Sequence, residues 1–169
     1  MNVTLHDATV HDIPEIERIY TFYVLNTFSS FEETPPTADE LDHRRTTIQN
    51  SNFPYIVAKL DDKVIGYAYV VHYRTRSAYR YTVEHSIYVD KDFRTKGIGD
   101  ILLTEILKRC RKQGLKQIIA VISGDINTNR ASIALHEKHG FKKVAHLHKV
   151  GLKFNQWVDS ILLQHSLDE

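Results

Sequence analysis

The chain has 169 residues, of which 42% are hydrophobic and 10% aromatic, enough for one folded domain and too much for a disordered tail. Its 22 basic and 21 acidic residues leave a formal charge of +1, which argues against a nucleic-acid binder with a broad basic face but leaves room for a local anion pocket. A single cysteine excludes an internal disulfide, no run nears the roughly 18 apolar residues of a membrane span, and MNVTLHDATVHD is not a signal peptide, so a reducing, cytoplasmic setting is expected.

Residues 3–8 read as a first strand. Asp12 then stands where an N-cap would, with Glu15 three residues on and Pro14 in the first turn. Ile13, Ile16, Tyr20 and Val24 recur at helical spacing, so one face of that helix is buried. Residues 26–36 are irregular, rich in Phe, Ser and Glu, and closed by two prolines. Thr37 and Glu40 form a second capping box, opening a short helix to residue 50.

Two extended runs, 55–60 and 64–73, flank Asp61-Asp62-Lys63 as a hairpin, and a third covers 80–89. The pattern then switches to period 3.6 at Ile98, Ile101, Leu102, Glu105, Ile106 and Arg109, and Gly114 ends that helix. Cys110 falls inside it, where a packed thiol is expected rather than a nucleophile. Residues 116–122 form a short apolar strand, 129–139 a helix closed by Gly140, and 141–149 and 157–165 the last two strands. The order β-α-α-β-β-β-α-β-α-β-β predicts an α/β or α+β fold: a single domain with a mixed, mostly antiparallel sheet and helices on its faces.

The link between the third extended run and its helix reads Arg94-Thr95-Lys96-Gly97-Ile98-Gly99. A strand entering a helix through such a turn aims free N–H groups and the positive end of the helix dipole outward, as phosphate oxygens require. The glycines allow close approach, and Arg94 and Lys96 add charge. Position 102 is Leu, so the dinucleotide pattern G-x-G-x-x-G fails, and the P-loop pattern is absent. On these six residues alone, a plain tight turn fits as well. Just upstream, Glu84 sits on a strand that alternates Glu84, Ser86 and Tyr88 against Val83, His85, Ile87 and Val89. A carboxylate on a central strand is costly without a partner or a purpose. It reads either as a general base or as a solvated group paired with Arg80 or Arg74.

The run HSIYVDKDFRTKGIG resembles the central motif of the GNAT N-acetyltransferases, whose signature R/Q-x-x-G-x-G/A is matched at Arg94, Gly97 and Gly99. NRASIALHEKHGF is similar to the family's second motif, a late helix opening at Asn129 and ending at Gly140-Phe141. FSSFEETPPT, YRYTVEHSIYV and VGLKFNQWVD further resemble the branch that acetylates phosphinothricin and methionine sulfoximine on the α-amino group.

That resemblance implies acetyl-CoA as cosubstrate, direct transfer to an amine, and a homodimer. For the cofactor it implies the backbone of Ile87, Tyr88 and Val89, the cradle Arg94, Thr95, Lys96, Gly97, Ile98, Gly99 and Asp100, and Asn129 on the pantetheine amides, with Asn127 as second choice. Asn129 also reads as the N-cap of its own helix. A free amine is largely protonated at neutral pH, and Glu84 is the expected base. His136 stands where many relatives carry a tyrosine that protonates the thiolate; it is the second catalytic candidate, as donor or as orienting group.

Arginine forks suit the anionic groups of a glutamate analogue. Arg74, Arg76, Tyr79 and Lys153 are therefore expected at the substrate, with Phe31, Phe154 and Trp157 as walls and Glu32 on the ammonium. A polyamine, aminoglycoside or protein-amine acceptor would want an acidic pocket, and a non-catalytic CoA-binding module would not need Glu84 and His136. Among ten histidines, His146 and His148 lie two apart and His136 and His139 three apart, without an acidic or cysteine partner, so no metal is expected.

Overall fold

The computed structural model describes residues 2–124 and 129–168. Seven strands form one sheet in the order β1-β2-β3-β4-β5-β7-β6. They are β1 Thr4–Asp7, β2 Tyr55–Leu60, β3 Lys63–His72, β4 Thr82–Val89, β5 Gln117–Ser123, β6 Lys142–Lys153 and β7 Gln156–Ser166. The helices are α1 Ile13–Asn26, α2 Ala38–Asn50, α3 Ile98–Lys112 and α4 Arg130–Lys138. Every strand pair is antiparallel except β4–β5, which is parallel. That one parallel pair needs a crossover, and α3 supplies it.

The sheet separates two cores. On one face Ile16, Ile19, Val24, Leu41 and Ile48 of α1 and α2 close over Tyr55, Tyr67 and Tyr88. On the other, Ile98, Leu102, Leu103 and Ile106 of α3 pack on Ile56, Ala68, Val83 and Ile118. Residues that alternate along β4 thus belong to different cores, with Val83 under α3 and Tyr88 under α1. Between β2 and β3, Asp61 and Asp62 both take positive φ (48° and 64°), the geometry of a two-residue hairpin turn of mirror-image type.

Four sequence expectations shift. Asp12 precedes α1 but makes no cap for it: its Oδ2 accepts the Thr9 amide at 2.8 Å and its Oδ1 meets Lys59 Nζ at 2.7 Å. Thr37 does cap α2, accepting the Glu40 amide at 3.2 Å, while the Glu40 carboxylate turns to Arg44 instead of closing the box. The strand expected from residue 80 begins at Thr82, because Ser77–Tyr79 winds into a 3-10 turn. β6 continues past residue 149 to Lys153 through an irregularity where Lys149 takes φ 52°.

Candidate active site

β4 and β5 pair only from Thr82–Gln117 to His85–Ala120, yet β4 runs on to Val89 and β5 to Ser123. The strands therefore fork after His85. The Asp90 amide donates to Ile65 O on the β3 side, so alternation aims the Ile87 and Val89 amides at the fork and ties the Tyr88 backbone to β3. Of the three residues expected to offer their backbone, Ile87 and Val89 turn their amides to the fork, and Tyr88 does not. The Val89 carbonyl already accepts the Tyr23 hydroxyl at 2.6 Å.

At the mouth of the fork α3 begins without a side-chain cap, behind Gly97 at φ 80°. A Cβ on Gly97 would meet nothing within 4 Å, so its absence leaves clear space in front of the first turn. The first intrahelical bond is Ile101 N to Gly97 O, which leaves the preceding amides to an external acceptor. Around this start the Arg94 guanidinium lies over the Phe22 and Tyr23 rings at 5.2 and 5.1 Å. Lys96 Nζ donates to Asp92 O at 2.9 Å, and Thr95 turns its hydroxyl back on Arg94 O at 2.6 Å. An uncapped helix start flanked by two cations fits a pyrophosphate.

Other cradle residues act differently from expectation. The Ile98 side chain is buried in the core, so only its amide faces the cradle. Gly99 lets α4 approach: a Cβ there would come within 3.1 Å of Leu135. The Asp100 carboxylate accepts Lys138 Nζ and His139 Nε2, each at 2.8 Å, and clamps α3 to α4, which leaves its amide to the cradle. Asn129 leaves its helix uncapped and donates instead to Ser123 O at 2.8 Å, at the β5 arm of the fork. Asn127 lies outside the described residues.

Glu84 stands on the α1/α2 side, opposite Val71 on β3. Val71 lines a cavity of about 310 Å³ with Tyr20, Arg44, Tyr55, Tyr67 and Tyr69. Among the described residues no donor satisfies the Glu84 carboxylate. Burial pushes its pKa up, and the nearby Arg74 charge only partly opposes this. One residue on, His85 faces the other core. Its Nε2 lies 3.1 Å from Nε2 of His136, and the His136 Nδ1 donates to Ser132 O at 2.7 Å. Burial pulls both imidazoles below the usual histidine pKa.

Of the cations expected at the substrate, only Arg74 acts on Glu84, with its guanidinium over the Tyr73 ring at 4.9 Å. Arg76 is exposed and precedes the 3-10 turn whose last residue, Tyr79, packs edge-on against Tyr73. Lys153, expected at the substrate, is buried and already engaged: its ammonium donates to Thr27 O at 2.8 Å and Ser30 O at 2.6 Å. Those bonds pin the loop 27–36, helped by Phe31 against Gly151 and Phe28 against Phe154. Glu32, expected on the ammonium, is likewise engaged, held by Arg44 and the Tyr20 hydroxyl. The tyrosine-lined cavity and Arg44 were missed in the sequence. The signal was there in Tyr55, Tyr67 and Tyr69 at one alternation phase, but only strand register puts them side by side.

The fold also gives His146 and His148 the acidic partner the sequence lacked: Asp159 Oδ2 lies 2.8 Å from His146 Nε2 and 3.4 Å from His148 Nδ1. The same carboxylate accepts the Lys149 amide at 2.8 Å, and the cluster sits on the β6–β7 hairpin beside the end of β5, where the Gly124 amide donates to Asp159 O at 2.9 Å.

A family model described as an acetyltransferase (GNAT) domain matches residues 5–162. A phosphinothricin N-acetyltransferase of Alcaligenes faecalis is 41% identical over 157 residues, 93% of this chain and 79% of that protein. An L-methionine sulfoximine/L-methionine sulfone acetyltransferase of Pseudomonas aeruginosa is 37% identical over 169 residues, 99% of this chain and 96% of that one. Among solved structures, a phosphinothricin acetyltransferase from Sinorhizobium meliloti in complex with acetyl-CoA superposes with a TM-score of 0.94. It is 42% identical, and the match covers 98% of this chain and 89% of that one.

Proposed function

The chain belongs to the GNAT acetyltransferase family, and from that membership we propose that it acetylates the α-amino group of a small amino-acid-like substrate of the phosphinothricin, methionine sulfoximine or methionine sulfone type. Acetyl-CoA supplies the acyl group as a thioester. The observation that carries the reading is the fork: an uncapped helix start and free strand amides on one side of the Glu84–His85 step, and a carboxylate of raised pKa beside a cavity on the other.

In the proposed site the α3 amides, Arg94, Thr95 and Lys96 hold the pyrophosphate, and the Ile87 and Val89 edge of β4 with Asn129 holds the pantetheine arm. Glu84 takes the proton of the substrate ammonium, and the amide of the strand end meets negative charge developing on the acetyl oxygen. His136 is the polar side chain on the cofactor side. The substrate lies toward the tyrosine-lined cavity, its anionic group drawn by Arg74 and Arg76, with Tyr79, Phe31 and Phe154 at the margins.

The enzyme is further proposed to act as a single-domain homodimer in the cytoplasm. β6 is a sheet edge, and Leu147, Val150, Leu152, Phe154 and Trp157 expose a band of apolar surface along the β6–β7 hairpin. No helix among the described residues is long and apolar enough to cross a membrane. The burial that pushes the Cys110 thiol up to about 12 keeps it out of the chemistry.

Free thiol released from acetyl-CoA measures the proposal. Phosphinothricin, methionine sulfoximine and methionine sulfone are expected to turn over, with polyamines and aminoglycosides inert. Turnover of the polyamines alone would overturn the substrate class. Light scattering on the eluting peak is expected to give twice the chain mass.

A further inference from the structure

His85 is a polar side chain in an apolar place. It shares its face of β4 with Val83 and Ile87, is 6% exposed, and is flanked by His136 (ring centroids 5.0 Å apart) and Phe141 (5.6 Å). The proton positions follow from the partners. Ser132 O can only accept, so His136 carries its proton on Nδ1. A neutral His136 then offers a bare Nε2, and the 3.1 Å contact requires that His85 donate from its own Nε2. In a neutral His85 this leaves Nδ1 as a bare acceptor, buried and without a partner among the described residues.

That orphaned nitrogen is a cost, because a buried acceptor without a donor loses its hydration for nothing. Leucine would fill similar space among Val83, Ile87 and Phe141 without it. Packing therefore does not account for a histidine here, whereas its one hydrogen bond does. That bond lands on His136 at the last paired residue before β4 and β5 part. Without it the buried Nε2 of His136 would have no donor, and only the bond to its own helix would orient the ring.

We propose that His85 is a positioning residue of the transfer site: it donates Nε2–H to His136 and so fixes the tautomer and plane of that ring at the base of the fork. The assignment rests on the acetyl-transfer reading above, in which His136 is the polar group on the cofactor side. Glu84 and His85 then serve opposite faces of one strand, the first toward the amine and the second through His136 toward the thioester.

Nitrogen-15 spectra of the labelled protein without ligands test the tautomers directly. His136 protonated on Nδ1 and His85 on Nε2 are expected; His136 protonated on Nε2 overturns the proposal. In turnover, His85→Leu is expected to melt no lower than the parent, keep its KM for acetyl-CoA, and lose kcat on the order of tenfold. His85→Gln, which keeps an N–H donor, is expected to recover most of that loss. Full kcat in His85→Leu, or equal impairment in both variants, overturns the proposal. If His85→Leu does not fold, the tautomers and His85→Gln decide. A parent enzyme that releases no thiol with any amino-acid analogue would remove the acetyl-transfer reading, while the tautomer result stands by itself.

Discussion

The fork between β4 and β5 and the loop braced by the β6–β7 hairpin treat their polar groups in opposite ways. At the brace, Lys153 is satisfied by Thr27 O and Ser30 O, Glu32 by Arg44 and the Tyr20 hydroxyl. At the fork, the first turn of α3 has no cap and Glu84 has no donor among the described residues. Even the two helix starts differ, since α2 is closed by Thr37 and α3 is left open behind Gly97. Satisfied groups hold a shape, and groups held open are available to a ligand. Charged residues near a cleft are thus sorted by what already occupies them.

The sharpest way to break this contrast is Glu84→Gln. Turnover is expected to fall by roughly 10²- to 10³-fold with acetyl-CoA affinity unchanged, as loss of a general base requires. Because burial raises the Glu84 pKa, the carboxylate is lost as pH falls through that raised value. The acid limb of kcat/KM against pH is therefore expected above the ordinary glutamate range and is expected to vanish in the Gln variant. The same shift means the folded protein loses stability as pH rises through it, so Glu84→Gln is expected to melt no lower than the parent at neutral pH.

Gly97→Asp would close the open helix start. An aspartate there caps the first turn and sets a negative charge where the pyrophosphate is proposed to lie, at a backbone of φ 80°. Acetyl-CoA Kd, read by calorimetry, is expected to rise about tenfold or more, the equivalent of about 1.4 kcal/mol. Lys153→Met tests the brace by leaving two carbonyls without their donor. A loss of about 2 kcal/mol, seen as a fall in Tm of roughly 4–8 °C, is expected with acetyl-CoA Kd unchanged. Thr37→Ala, the smallest change, removes a cap for about 1 kcal/mol and roughly 2–4 °C, again with no effect on acetyl-CoA.

The order of elements, the two motifs and the open start of α3 were legible in the sequence, because each is local. A helix period, a glycine behind a helix start or a capping threonine is written within a few residues of where it acts. The alternation that sends Glu84 and His85 to opposite faces was legible for the same reason. Identical residue types at other positions were not. Lys153 and Arg74 are both cations near aromatic residues, yet only the meeting of β6 with the loop 27–36 buries one of them. The Asp100 carboxylate reads as part of the cradle until α4 brings Lys138 and His139 against it, and only its amide is left there.

What the sequence determined by itself is the fold family, the open start of α3 and the strand that carries Glu84, since these rest on periodicity and short spacing. Tertiary structure decided which charges remain open. It brought Tyr55, Tyr67, Tyr69 and Arg44 around one cavity, joined His85 to His136 across 51 positions of chain, and set Asp159 against His146. A partner far away in sequence leaves no local periodicity to read, and whether a polar group is satisfied depends on that partner.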